Sequence, residues 1–192
     1  MVDKDIEYDI IKCMKIPSEY YSQGGIPPDV LDTVGRVIAE FEREYTLNLN
    51  DVVAESMGSE NQGVVFQYRP LNKSGATDPR VYINTDYNFD NLRFALKRNF
   101  EGGVLSERTI DELVRHELAH ALTFQGVPLN RLNAFNAELN EEFVRGVSLY
   151  SDRLRDGAEA IAEAFTKLER GESVPEEAKL LVERLIYRWR KK

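Results

Sequence analysis

The feature of this sequence that most constrains its fold is an H-E-x-x-H motif, in which His116, Glu117 and His120 stand inside a run of helical character. Residues four apart on an α-helix lie on the same face, so both imidazoles can reach one ion. These two are all the histidines of the chain. The glutamate between them can reach water on such an ion without binding the ion itself. The spacing therefore predicts a helix that presents a zinc site suited to peptide hydrolysis.

The residues around the motif support the helix prediction. Thr109 and Glu112 have the spacing of a capping box at its start, and Gly126 followed by Pro128 predicts its end. Apolar residues recur at i, i+3 and i+4 spacing between these limits. They are Ile110, Leu113, Val114, Leu118, Ala121 and Leu122. The alternative interpretation, two surface histidines on an amphipathic helix, is the weaker one because the motif is rare by chance.

The third zinc ligand has to come from elsewhere in the chain. Catalytic zinc takes three protein ligands and keeps its fourth position open. The lack of a third histidine excludes the metzincin arrangement and leaves a carboxylate as the common choice. The candidates are two pairs of glutamates with helical spacing, Glu159 with Glu163 and Glu138 with Glu142. The first pair stands in an alanine-rich apolar run, which predicts burial, and a buried carboxylate needs a cation nearby.

Two further motifs follow H-E-x-x-H along the chain. The first is a Ser-x-Tyr element from Ser148 to Tyr150, and the second is the run E-A-I-A-E-A-F that starts at Glu159. This order resembles that of the lethal-factor-like zincin peptidases. That family includes domains attached to phage head-morphogenesis proteins and to bacterial toxins. The resemblance extends over roughly residues 28–170 and is specific at the three motifs.

The resemblance implies a role for each site residue. The implied zinc ligands are His116, His120 and Glu159. Glu117 would be the general base and later the general acid, and Tyr150 would stabilise the oxyanion. Glu163 would accept a hydrogen bond from the outer nitrogen of a ligand histidine. Together these roles imply a zinc-dependent endopeptidase that acts on a protein or peptide substrate.

Strand patterns precede the motif helix. Residues 64–68 and 80–87 have the β-branched and aromatic content of strands, and we predict that they form an antiparallel hairpin. The connection, residues 71–79, is predicted to be a long loop. By the resemblance, residues 81–87 are an edge strand that pairs with an extended substrate, and an ordinary sheet strand is the alternative.

The whole pattern predicts an α+β fold of zincin-like type. We expect a small antiparallel or mixed sheet packed on the motif helix, and a mostly helical C-terminal half. Residues 29–45 have the apolar face of a first helix. Residues 1–28 are predicted to be an arm or linker, and residues 29–192 the metallopeptidase domain.

Composition excludes some partners. A formal net charge of -8 argues against nucleic acid as the main partner. We expect no membrane partner, because no apolar run has membrane length. The start of the chain does not resemble a signal peptide and Cys13 is the single cysteine, so we expect a cytoplasmic protein.

The family resemblance allows locations other than the cytoplasm. By it, the protein would be virion-associated or delivered as a toxin domain. Phage structural proteins would be further partners. A competing function is a phage-particle assembly or interaction module whose metal site is structural or vestigial. The intact Glu117 favours an enzyme, because a structural site needs no base at that position.

Overall fold

The computed structural model describes residues 25–58, 61 and 63–192. Most of the arm predicted for residues 1–28, together with Cys13, lies outside the described residues. The strands in the described part are β1 (Asp51–Glu55), β2 (Phe66–Leu71) and β3 (Thr77–Asn84). The α-helices there are α1 (Pro28–Glu44), α2 (Leu92–Glu101), α3 (Ile110–Phe124), α4 (Leu132–Glu141), α5 (Leu149–Leu154), α6 (Gly157–Glu169) and α7 (Glu176–Leu185). The predicted α+β class with a small mixed sheet is confirmed.

The three strands form one sheet in the order β1-β3-β2. β2 and β3 are antiparallel, as predicted for a hairpin. Their connection is shorter than the predicted loop, because both strands extend into residues 71–79. The Asn72 side chain accepts hydrogen bonds from the backbone of Ser74 and Ala76, which closes a tight turn, and Gly75 adopts a φ of 79° there.

The prediction that residues 81–87 form an edge strand is wrong. β3 lies in the centre of the sheet, because β1 pairs with it in parallel on the side opposite β2. The register runs from Asp51 opposite Arg80 to Glu55 opposite Asn84. The edge of the sheet that is next to α3 is therefore β2.

Helix α3 lies in the core between α1 and α6. Buried apolar side chains from all three helices pack together, and each contributes about 1.5–3 kcal/mol on burial. These side chains include Val34, Val37, Phe41, Val114, Leu118, Leu122, Ile161 and Phe165. This packing fixes the rotation of α3 about its axis, so its histidine face is turned toward β2 and α6. Within the described residues, no helix combines the length and apolarity needed to cross a membrane.

Both ends of α3 are held by hydrogen bonds. The Thr109 hydroxyl accepts from the backbone N–H of Glu112 at 3.2 Å, as a capping box requires. The Glu112 carboxylate accepts a hydrogen bond from the backbone N–H of Arg108. In a capping box this bond would come from the N–H of Thr109, which is the next residue. At the other end, the Trp189 indole N–H donates to the carbonyl of Leu122 at 3.0 Å. The C-terminal segment thus completes the hydrogen bonding of the motif helix.

Candidate metal centre

The two histidines face each other in the middle of α3. His116 and His120 are each 8% exposed. Their Nε2 atoms are 3.1 Å apart, and their rings meet at 76° with centroids 4.8 Å apart. The helix therefore brings both nitrogen atoms to one point, as the spacing predicts.

Glu159 reaches this point from the first turn of α6. The Asp156 side chain caps the helix by accepting from the backbone N–H groups of Ala158 and Glu159. Gly157 lets α6 begin against α4, since a Cβ at this position would lie 1.9 Å from the carbonyl oxygen of Leu139. A cap and a glycine thus determine where the carboxylate lies.

The Glu159 carboxylate contacts both imidazoles. Its Oε2 is 3.2 Å from His116 Nε2, and its Oε1 is 3.3 Å from His120 Nε2. Four tetrahedral ligands with bonds of about 2.0–2.1 Å are separated by about 3.3–3.4 Å, close to these values. These three residues could therefore hold a metal ion.

The rival glutamate pair lies elsewhere. Glu138 on α4 has a side chain 52% exposed and pairs with Arg131 at 2.6 Å. Glu142, just after α4, is 45% exposed and pairs with Arg184. Neither belongs to the group of residues that could hold a metal. The structure therefore favours Glu159 over Glu138 and Glu142 as the carboxylate of this group.

Opposite charges stabilise each other inside this cluster. Burial alone would lower the pKa of His116, but Glu107 and Glu159 raise it well above its ordinary value. Burial alone would raise the pKa of Glu159, but His120 and His116 lower it far below its usual range. The two carboxylates thus stabilise a positive charge on the imidazoles. A divalent cation bound between the rings would supply the same charge.

Glu107 is a site residue that the sequence patterns did not reveal. Its side chain is almost completely buried, and its Oε1 accepts from Nδ1–H of His116 at 3.1 Å. With a proton on Nδ1, Nε2 faces Glu159 and, in the neutral ring, carries the lone pair that a metal would bind. Glu107 lies in an irregular segment before α3, where no periodic pattern marks a side chain as buried.

The role predicted for Glu163 is wrong. Its Oε2 accepts from the Ser148 hydroxyl, and among the described residues its buried Oε1 has no hydrogen-bond partner. One turn after Glu159, this side chain bonds to the residue that caps α5 and to neither imidazole. The hydrogen bond to the outer nitrogen of a histidine is made by Glu107. Burial first, and then Glu107, raise the pKa of Glu163 to about 7.

Glu117 is held at the edge of the sheet. Its Oε2 accepts from the backbone N–H of Tyr68 on β2 at 2.5 Å. The carboxylate lies beside the ligand cluster and lines the same cavity. Glu117 is therefore close enough to accept a proton from a molecule bound there.

Tyr150 lines this cavity from the first turn of α5. Ser148 caps that turn by accepting from the backbone N–H groups of Tyr150 and Ser151. Burial first, and then the charge of Glu159, raise the pKa of the Tyr150 phenol. The phenol therefore remains protonated and can donate a hydrogen bond into the cavity.

The cavity brings five of the six predicted site residues together. It has a volume of about 780 Å³. The five residues are His116, Glu117, His120, Tyr150 and Glu159. Among the described residues that line it, none is lysine or arginine, whereas four are acidic. The cavity is therefore suited to neutral or basic ligands.

No protein-family model matches this sequence, and searches of curated proteins and of solved structures found no match.

Proposed function

We propose that this protein is a zinc-dependent endopeptidase of the zincin type, related to the lethal-factor-like peptidases. The observation that carries the proposal is the meeting of His116, His120 and Glu159. The two Nε2 atoms are 3.1 Å apart, and the two oxygens of Glu159 lie 3.2 Å from His116 Nε2 and 3.3 Å from His120 Nε2. Structural zinc sites are closed by four protein ligands, whereas catalytic sites have three. In the described part of the chain three residues form the group, which supports a catalytic site.

The donor set and its charge both favour zinc. Two imidazoles and one carboxylate are the ligands of a common class of zinc peptidase. Despite their burial, Glu107 and Glu159 have a lowered pKa because of the nearby histidines, so both are ionised at neutral pH. One divalent cation would balance these two negative charges.

The metal and two side chains would have separate tasks in peptide hydrolysis. A zinc ion held here supplies Lewis acidity that polarises a carbonyl and lowers the pKa of water. Glu117 accepts the proton of the attacking water and passes it to the leaving amine. Tyr150 donates a hydrogen bond to the developing oxyanion. The Tyr68 N–H orients Glu117 for the proton transfer.

An extended peptide can pair with the outer edge of β2 through the carbonyl of Tyr68 and the backbone of Phe66, because the Tyr68 N–H already donates to Glu117. The Tyr68 N–H points away from β3, since it bonds to Glu117. Residues two apart on a strand share a side, so the backbone of Phe66 points the same way. Both residues line the cavity. Pro70 has no N–H to donate, so the substrate ladder is confined to this short stretch.

The test is a cleavage assay with an unbiased peptide library, read by mass spectrometry. We expect the zinc-loaded protein to cut peptides and the chelated protein to be inactive. The matched variant Glu117→Gln should bind zinc as well as the parent and cut about 10²–10⁴-fold more slowly, because it lacks the base.

Two results would contradict the proposal. One is equal cleavage by the Glu117→Gln variant, which would remove the base from the mechanism. The other is zinc binding with no cleavage of any library peptide. That outcome would favour the assembly or interaction module, for which binding to phage structural proteins is the next measurement.

A further inference from the structure

We infer that Glu107 is the positioning residue of the metal centre. It holds His116 in the tautomer that binds a metal through Nε2, and it links the two helices that carry the ligands. The inference rests on the proposed zinc site, and it assigns to the segment before α3 the role that the family resemblance implies for Glu163.

Three side chains meet at one oxygen of Glu107. Its Oε1 lies 3.1 Å from His116 Nδ1, 2.8 Å from the Ser106 hydroxyl and 3.1 Å from the Thr166 hydroxyl. Only 1% of the residue is exposed. A carboxylate that accepts several hydrogen bonds in a buried setting has a fixed orientation, and it imposes that orientation on the groups that donate to it.

The partners of Glu107 connect it to the histidine and not to an arginine. Arg170 hydrogen-bonds to the carbonyl of Ser106, to Glu112 and to Glu172. In the described structure, the ring of His116 is the only nitrogen side chain that bonds to Glu107. The buried charge of Glu107 is therefore balanced through the His116 ring, and a metal on the far side of that ring would supply the same balance.

The same oxygen connects the two helices of the site. His116 belongs to α3, whereas Thr166 belongs to α6, two turns after Glu159 on the same face. Thr166 is buried and its hydroxyl also lies 2.9 Å from the carbonyl of Glu163. Glu107 thus stands between the histidine ligand and the helix of the carboxylate ligand. Its removal should disturb both the ring and the separation of the helices.

The test compares variants at two neighbouring glutamates. Glu107→Ala removes the acceptor, whereas Glu107→Gln keeps an oxygen that can accept from Nδ1–H. Glu112→Ala and Glu112→Gln are the matched controls, because Glu112 holds the start of α3 through Arg108 and Arg170 without touching His116. Zinc affinity is measured by competition with a chromophoric chelator, and stability by thermal unfolding of the metal-free proteins.

We expect Glu107→Ala to lower zinc affinity by about 10–100-fold, as for other carboxylates that orient a ligand histidine. Glu107→Gln should recover most of that loss. Both Glu112 variants should lower the unfolding temperature and leave zinc affinity within about twofold of the parent. Equal loss of affinity at the two positions would mean a general loosening of α3, and the inference would be withdrawn.

Nuclear magnetic resonance gives a second readout that depends on neither affinity nor cleavage. The chain has two histidines, so their ring signals are readily assigned in the zinc-loaded protein. We expect one slowly exchanging Nδ1 proton in the parent, and its loss in Glu107→Ala. If that proton persists in the variant, Glu107 does not hold it.

The outcomes separate this inference from the proposed function. If the protein binds zinc but cuts no peptide, the proposed peptidase activity is contradicted. The role of Glu107 can still be determined in that case, from the zinc affinity of the variants and the tautomer of His116. A protein that cuts peptides equally well with and without Glu107, at unchanged zinc affinity, contradicts the inference alone. A parent that binds no zinc contradicts both.

Discussion

The backbone N–H of Tyr68 donates to Oε2 of Glu117 over 2.5 Å, and this hydrogen bond joins the outer edge of the sheet to helix α3. Glu117 is thereby held by an element other than its own helix. The strand that would bind a peptide and the carboxylate that would accept the proton therefore have a fixed relation. Any shift of β2 would move both together.

Replacing Tyr68 tests this relation. Tyr68→Pro removes the N–H that faces Glu117 but leaves the hydrogen bonds between β2 and β3 in place. Tyr68→Ala removes the ring and keeps the N–H. We expect kcat to fall by up to about 10²-fold in Tyr68→Pro relative to Tyr68→Ala, because a misplaced base transfers the proton poorly. Steady-state kinetics measure this, and zinc affinity should match in both. Equal kcat values would show that the hydrogen bond has no part in catalysis.

The third ligand is tested at two glutamates. Glu159→Ala removes a carboxylate whose two oxygens lie 3.2 Å from His116 Nε2 and 3.3 Å from His120 Nε2. We expect zinc affinity to fall by more than about 100-fold, beyond the range seen for residues that only orient a ligand. Glu138→Ala is the matched control, since that side chain is exposed and pairs with Arg131. Isothermal titration calorimetry measures both. If Glu138→Ala loses zinc and Glu159→Ala does not, the third ligand belongs to the pair of Glu138 and Glu142.

Local periodicity accounts for the part of the site that the sequence predicts. His116, Glu117 and His120 follow from helical spacing. The alanines around Glu159 predict that its helix packs inside, and 23% of the Glu159 side chain remains exposed. These predictions use residues close together in the chain, where backbone geometry decides which side chains meet. The link between Glu159 and the histidines spans distant residues and comes from the order of motifs in the family resemblance.

The errors come from contacts between distant segments. β3 is central because the short β1 pairs with it in parallel, and nothing in residues 51–55 reveals their partner. Glu107 lies in an irregular segment, so its burial depends on how α3 and α6 pack. Glu163 has the sequence spacing of a glutamate that orients a ligand histidine. In the structure it bonds to Ser148 at the start of α5 and not to the ring of His116 or His120. Tertiary packing decides all three.

The buried Glu163 should make stability depend on pH. Burial and Glu107 raise its pKa to about 7 from an ordinary 4.5. Its contribution to stability is therefore complete below pH 4.5, is lost as the pH rises toward 7, and stays lost above. We expect the metal-free parent to lose up to about 3 kcal/mol through this group between pH 4.5 and 8.

The glutamine of the variant Glu163→Gln cannot ionise. The variant should therefore not lose stability through this group as the pH rises from 4.5 to 8. Denaturant unfolding of the metal-free proteins at acidic and alkaline pH measures the difference. Glu138→Gln makes the same substitution at an exposed position and should follow the parent. A Glu163→Gln profile parallel to that of the parent would mean that the carboxyl stays neutral, or stays charged, throughout.

Zinc binding should release a proton from His116. Its pKa is raised well above 6.5, chiefly by Glu107 and Glu159 against the effect of burial, so the metal-free ring is protonated at neutral pH. That proton stabilises the metal-free fold below pH 6.5, and its contribution is lost as the pH rises through the raised pKa. Zinc needs the neutral ring, so affinity should rise with pH over the same interval, with about one proton released per ion. Calorimetry in buffers of different ionisation enthalpy counts the proton, and an affinity independent of pH would mean that the ring is already neutral.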